Sequence, residues 1–165
     1  MIWELIASNQ RKTIGLIVLM AVLLLGVGYA GGELLDPGLG LGGLILMGLA
    51  WLILSLAAYY QGDRIILSLS GARRITRQDH PVLFNVVEEM KIASGLSHFP
   101  EIYVIDDDAP NAFAAGRSPE KAAVAVTSGL LKRLSRDELQ GVIGHEIAHI
   151  VNRDVLCMTM IVVMW

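Results

Sequence analysis

The residues whose types and spacing can do chemistry are two histidines and a glutamate in the last fifth of the sequence. His145 and His149 are four positions apart, and Glu146 directly follows the first of them. Residues four apart lie on one face of a helix, so both imidazoles can offer a nitrogen to one ion. Nitrogen ligands with open positions suit zinc, whose catalytic sites combine three protein ligands with a water.

Glu146 is placed to act as a base rather than as a ligand. Next to a metal-binding histidine, its carboxylate could take a proton from water and pass it to a leaving amine, as in peptide hydrolysis. Such a short pattern also occurs by chance, and the alternative is two histidines on a helix surface. A metal site is favoured because a glutamate buried there needs a partner and because the flanks are apolar: Val142, Ile143, Ile147, Ile150 and Val151.

A helix beginning near residue 136 is predicted to carry these side chains. Ser135 is a good N-cap, Glu138 completes a capping box, and Leu134 can pack on Leu139 as a hydrophobic staple. No proline interrupts residues 136–152, although two glycines weaken the helix. The reactive residues therefore lie well inside a firmly started helix.

Shorter signals predict the elements around this helix. Asp79 as a cap, Pro81 in the first turn and Gly95 as a left-handed stop predict a helix between them. Residues 102–105 and 124–127 are typical strands, and residues 106–111 and 116–119 are predicted turns. The acidic triplet at 106–108 lacks the ligand spacing of a calcium loop, so it is interpreted as a solvated turn. His80 and His98 are interpreted as structural or exposed.

The composition divides the chain into two parts. Of its 165 residues, 54% are hydrophobic and 18% are charged, and only five of the charges fall in residues 1–62. The net charge of -3 excludes a strongly basic nucleic-acid binder. A single cysteine excludes an internal disulfide framework and a cysteine-rich zinc cluster. The first part is predicted to lie in a membrane and the second in water.

Two uncharged runs, residues 13–32 and 37–62, are each long enough to cross a bilayer as a helix. Residues 1–62 are thus predicted to be a membrane domain with two transmembrane helices, residues 63–154 a cytoplasmic domain, and residues 155–165 the start of a third, incomplete span. The short acidic loop at 31–36 has no Lys or Arg. Both outer flanks contain basic residues, so the positive-inside rule places these flanks in the cytoplasm. The basic residues are Arg11, Lys12, Arg64, Arg73, Arg74 and Arg77.

Beyond these local signals, the chain resembles the HtpX-type membrane zinc endopeptidases, gluzincins related to the CAAX prenyl endopeptidases. The resemblance covers most of its length. It rests on the two N-terminal spans and on three segments in order: PNAFAAG at 110–116, VAVTSGLL at 124–131 and HEIAHIVNRD at 145–154. In that order the segments are specific, whereas the histidine–glutamate pattern alone is not.

The expected fold is mainly α with a small β-hairpin or sheet: two transmembrane helices followed by a zincin-like α+β metalloprotease domain. The resemblance implies a multi-pass protease of the cell membrane, with its catalytic domain facing the cytoplasm. It would hydrolyse damaged or misfolded membrane proteins in quality control. It also implies one zinc ion held by His145 and His149, with Glu146 as the catalytic base. Protein or peptide substrates and the lipid bilayer are the expected partners, and nucleic acid is not.

Two further assignments rest on the resemblance. Asn111, Ala112, Phe113 and Ala114 match the segment that leads into a strand at the cleft, which could pair with an extended substrate. The alternative is an ordinary turn with Phe113 in the core. Asp154 matches an acidic position of the family's extended motif and could orient a ligand imidazole from behind. Its alternative is a helix-end charge beside Arg153.

The family's third zinc ligand is a glutamate on a later helix, and this sequence has no acidic residue after Asp154. The expectation is therefore a truncated chain that is itself inactive or nearly so. A non-catalytic membrane adaptor, or an inactive fragment that binds clients through an incomplete site, is the alternative function. An intramembrane protease is disfavoured because charged residues flank the site on both sides, and such charges are costly in a bilayer core.

Overall fold

The structure, a computed structural model, describes the backbone of residues 2–164 and the side chains of residues 14–159 together with Ser8, Arg11 and Val162. Its helices are α1 (Ile2–Leu35), α2 (Gly40–Leu69), α3 (Pro81–Ser94), α4 (Ser128–Arg133), α5 (Arg136–Asn152) and α6 (Val155–Met164). Its strands are β1 (Arg73–Arg74), β2 (Glu101–Ile105), β3 (Ala112–Gly116) and β4 (Ala122–Thr127). The protein is mainly helical with one small sheet, as predicted.

Helices α1 and α2 form an antiparallel pair, and both are long and apolar enough to cross a membrane. Glycines let their backbones approach closely: a Cβ on Gly28 or Gly43 would collide with the facing helix. The predicted loop at 31–36 is wrong in extent, because α1 continues to Leu35 and the turn occupies only four residues. Glu33 closes this turn, since its carboxylate accepts hydrogen bonds from the N–H groups of Gly38 and Gly40 at 3.1 and 3.2 Å.

The strands form one mixed sheet in the order β1-β2-β4-β3. Strands β2 and β4 are parallel, with Ile102 opposite Val124, and β3 is an antiparallel edge strand, with Ala114 also opposite Val124. Strands β2 and β4 were predicted. Strand β1 was not predicted. Strand β3 occupies residues that were predicted only to lead into a strand. Gly116 ends β3 at φ +143°, where a Cβ would also collide with the backbone of Lys121.

The sheet is covered on both faces. Helices α3 and α5 pack on one face around a core that includes Leu83, Val124 and Ile143, all fully buried. On the other face, Leu67 near the end of α2 packs against Ala123 and Ala125. Helix α2 therefore continues without a break from the apolar run into the water-facing domain, and its last turns are part of the sheet's packing.

The start of α5 is as predicted. The Ser135 side chain accepts from the Glu138 N–H, the Glu138 carboxylate accepts from the Ser135 N–H at 2.8 Å, and Leu134 and Leu139 join the core. The start of α3 differs from the prediction. His80 is its N-cap, with Nδ1 accepting from the Leu83 N–H at 3.3 Å, because the carboxylate of Asp79 is occupied by the N–H and hydroxyl of Thr76.

Helix α6 follows α5 after a tight break and packs against α2 and β3. Thr159 on α6 is buried, and its hydroxyl accepts from the Gly116 N–H at 3.5 Å. The last residue of β3 is thus attached to the apolar helices. The first residue of β3 lies at the opposite end of the sheet.

Candidate active site

The two histidines of α5 converge on one point. Nε2 of His145 and Nε2 of His149 are 3.1 Å apart, and the rings meet at an interplanar angle of 87°. Two nitrogens bound tetrahedrally at zinc–nitrogen distances of about 2.0–2.1 Å would lie roughly 3.3 Å apart. The spacing and the chemistry of this donor pair therefore fit one zinc ion. His145 is exposed, so the point of convergence is open to solvent.

A backbone turn brings Asp154 behind the second histidine. Five positions along an ideal helix would place Asp154 about 140° away from His149. Helix α5 instead ends at Asn152, and Arg153 adopts a left-handed conformation at φ +56°. Asp154 Oδ2 accepts from His149 Nδ1 at 3.0 Å, which leaves Nε2 free to bind a metal. The second carboxylate oxygen, Oδ1, is buried and has no hydrogen-bond partner among the described residues.

Glu146 lies between the histidines in sequence but points to the sheet. It is buried, with 8% of its surface exposed, and its Oε2 accepts from the backbone N–H of Ala114 at 2.9 Å. Ala114 is 32 residues away in the sequence. One hydrogen bond therefore joins the helix that carries the histidines to edge strand β3.

Burial raises the pKa of the Glu146 carboxyl, because a charged group loses solvation there. The Ala114 N–H and the imidazoles of His149 and His145 act in the opposite direction, since each stabilises the carboxylate. Desolvation is the largest of these effects. A carboxylate with a raised pKa holds a proton more strongly, which suits a general base working near neutral pH.

The segment predicted to bind substrate divides between two roles. Ala112 and Ala114 belong to the same face of β3 as the main core, whereas Phe113 packs on the opposite face beside Leu67. Ala114 and Gly116 direct their N–H groups away from β4, and these groups donate to Glu146 and Thr159 respectively. Asn111 lies before the strand and is exposed.

Thr127 holds the beginning of β3 in place, a role that was not predicted from the sequence. Its buried hydroxyl donates to the Ala109 carbonyl at 2.7 Å and accepts from the Asn111 N–H at 2.9 Å. A threonine that ends an apolar strand was the available signal, but a threonine is common in strands. His80 and His98 lie outside the histidine pair, the first as a helix cap and the second beside Ser97.

No group of three or more His, Cys, Asp or Glu side chains that could hold a metal ion occurs within the residues the structure describes. The geometry therefore contributes two nitrogen ligands and an adjacent base. A group on the opposite side of the ion would be needed to complete a usual catalytic set.

The sequence profile of peptidase family M48 matches residues 77–165. The chain is also 41% identical over 164 residues to a "Protease HtpX homolog" of Streptococcus gordonii and 44% identical over 162 residues to one of Streptococcus pneumoniae. Both matches cover 98% of this chain and 54% of the relative, so the chain spans about half the length of the curated relatives it matches. With the histidine pair, the buried glutamate and the edge strand in place, the chain belongs to peptidase family M48 and is of the HtpX type.

Proposed function

We propose that this chain supplies the membrane anchor and the catalytic helix of an integral-membrane zinc endopeptidase. The observation that carries the proposal is the convergence of two imidazole nitrogens beside a buried glutamate that hydrogen-bonds to the edge strand β3. His145 and His149 would hold the ion. When bound, zinc supplies Lewis acidity that polarises a peptide carbonyl and makes water more acidic.

The substrate is proposed to bind as an added strand along β3. An extended peptide would pair with the outward backbone groups of residues 112–114. Because the Ala114 N–H is already held by Glu146, pairing there would compete with that hydrogen bond. The carboxylate would then be released beside the reacting carbonyl, where it can accept a proton from the attacking water and deliver it to the leaving amine.

The cytoplasm is the proposed compartment of the site. The basic residues Arg64, Arg73 and Arg74 follow α2, Arg11 precedes the apolar part of α1, and the turn between the helices holds only acidic charges. Helix α6 packs on α2 directly after the site, which supports a multi-pass protein with its active site at the membrane surface. Damaged or misfolded membrane proteins are the proposed substrates, because the edge strand β3 is attached to the apolar helix α6.

The test is the Glu146→Gln variant of the natural protein, purified from membranes and compared with wild type on an unfolded protein substrate. Zinc content should be unchanged, because both histidines remain. Hydrolysis should fall by a factor of at least about 10² to 10⁴, because the proton acceptor is lost. A matched variant, Asp137→Asn, changes an exposed carboxylate on the same helix and should retain activity. Equal cleavage by Glu146→Gln and wild type would refute the role of Glu146, and absence of cleavage by zinc-loaded wild type would favour an adaptor.

A further inference from the structure

We propose that a polar cavity between α2 and the sheet binds the headgroup of a zwitterionic phospholipid, in which an ammonium is joined to a phosphodiester. The cavity has a volume of about 250 Å³ and lies on the face of the sheet opposite α5. Its floor is apolar and includes Leu67 and Ala123. Its walls carry charges of both signs, contributed by Asp63, Arg64, Glu101, Glu120 and Lys121.

Aromatic side chains place this cavity at the depth of lipid headgroups. Tyr59 and Tyr60 lie on α2 about one turn before the charged residues begin, and both rings are exposed. Tyrosine rings are favoured at the boundary between hydrocarbon and water. Asp63 lies three residues beyond Tyr60, about 4.5 Å further along the helix axis. The mouth of the cavity therefore begins where the hydrocarbon ends.

The contacts of the sheet independently indicate the same membrane depth for the cavity. Gly116 at the end of β3 pairs with Ala122 at the beginning of β4, and Ala122 lines the cavity. The Gly116 N–H donates to Thr159 of the apolar helix α6. Next along the chain, the Arg117 guanidinium lies 5.6 and 5.2 Å from the ring centroids of Tyr59 and Tyr60. This end of the sheet, with its cavity, is consequently held against the membrane.

One of the wall charges already has partners. Glu101 forms an ion pair with Arg74 at 3.1 Å and accepts from the Tyr103 hydroxyl at 2.8 Å. Among the described residues, no ion pair includes Asp63, Arg64, Glu120 or Lys121. Two carboxylates and two cationic groups therefore line the same small space without an ion-pair partner among the described residues, and the Ser118 side chain hydrogen-bonds to one of them, Glu120.

A zwitterionic headgroup matches this set in size and charge. The cavity is smaller than the roughly 300 Å³ at the lower end for drug-sized ligands, which suits a headgroup. Its ammonium would contact the carboxylates of Asp63 and Glu120, and its phosphodiester would contact Arg64 and Lys121 as charge-assisted hydrogen bonds. A purely anionic headgroup would satisfy the cationic groups but would meet the carboxylates unfavourably.

The experiment measures lipid binding to the natural protein in detergent micelles, by native mass spectrometry and by the lipid-dependent rise in melting temperature. Phosphatidylethanolamine should bind one-to-one and more tightly than phosphatidylglycerol. Asp63→Asn should weaken phosphatidylethanolamine binding about tenfold or more and leave phosphatidylglycerol binding unchanged or stronger. Lys121→Gln should weaken the binding of both lipids. Control variants Asp108→Asn and Lys132→Gln, which change an exposed ion pair outside the cavity, should bind as wild type does.

Equal binding of both lipids by wild type, or an unchanged lipid preference in Asp63→Asn, would overturn the proposal. Tight binding of water-soluble glycerophosphoethanolamine at the concentration where the lipid saturates would also overturn it, because the source would not be the bilayer. If Asp63→Asn fails to fold, Glu120→Gln on the exposed turn before β4 repeats the same test from the other carboxylate. Since the readout is lipid binding, its failure would leave the proposed peptidase function untouched.

Discussion

At the scale of single residues, the site depends on how each imidazole is oriented. His149 is held by Asp154 through Nδ1, and this contact exists only because Arg153 leaves the helical conformation. A left-handed arginine is uncommon, and it turns the chain within one residue. The pairing fixes which nitrogen of His149 faces the proposed metal position, so Asp154 would act on a bound zinc ion through the histidine.

Removing this carboxylate should therefore weaken zinc binding without removing a ligand. We expect Asp154→Ala to lower zinc affinity about 10- to 100-fold, the usual effect of losing such a supporting partner. Competition with a fluorescent chelator measures the change. Asp137→Ala is the control, because Asp137 is exposed in the first turn of the same helix. Unchanged affinity in Asp154→Ala would mean that the turn at Arg153, rather than the carboxylate, orients His149.

At the scale of elements, the predictable parts were those whose signals are local. The capping box at Ser135 and Glu138 and the stop at Gly95 act within a few residues, and the structure has both. Strand β3 was hidden, because its sequence is rich in alanine and its partner for Ala114 is a side chain 32 residues away. The histidine pair could be predicted from spacing, but the contact between Glu146 and the strand edge could not, because it depends on tertiary packing.

The start of α5 allows a direct test of how the site helix is stabilised. Ser135→Ala should lower the free energy of unfolding by about 0.5–2 kcal/mol, because the N-cap hydroxyl is lost. Thermal melting monitored by circular dichroism measures this loss of stability. Ser94→Ala is the control, since the Ser94 hydroxyl only donates to a carbonyl of its own helix. An equal loss of stability in both variants would contradict the stabilising role of the Ser135 N-cap.

The same cap should make stability depend on pH. The Ser135 N–H and hydroxyl lower the pKa of the Glu138 carboxyl, since both stabilise its charged form. A carboxyl whose pKa is lower in the folded state stabilises the fold above its unfolded pKa, and this contribution is lost as the pH falls through the folded pKa. The destabilising effect of Glu138→Gln should accordingly shrink as the pH falls below the ordinary range of a glutamate.

At the scale of the whole molecule, α2 connects the membrane to the site. Its 30 residues extend about 45 Å, more than one hydrocarbon core requires, and its last turns pack on the sheet. Because β3 is also tied to α6, the proposed substrate edge is held at a set distance from the apolar helices. This arrangement would suit the proposed action on chains that emerge from the bilayer.

The orientation in the membrane is tested by labelling. Cysteines introduced one at a time at Asp36, in the exposed turn, and at Ser97, in the exposed part of the water-facing domain, should differ in access. A membrane-impermeant maleimide should label Asp36→Cys in intact cells and Ser97→Cys only after lysis, because the proposed topology places the basic flanks inside. The unmodified protein, which contains Cys157, gives the background labelling. The reverse pattern would reject the proposed topology.

The last prediction concerns the 165 residues expressed alone. Two imidazoles and water leave zinc one protein ligand short of the usual catalytic set, so we expect weak, readily exchanged zinc and little or no hydrolysis. Equilibrium dialysis with zinc, followed by metal analysis and a protease assay, measures both. The competing possibility is that Asp154 binds the metal directly, although its Oδ2 faces His149 Nδ1 in the structure. Tightly held stoichiometric zinc with protease activity, both lost in Asp154→Ala, would show that Asp154 is itself a ligand.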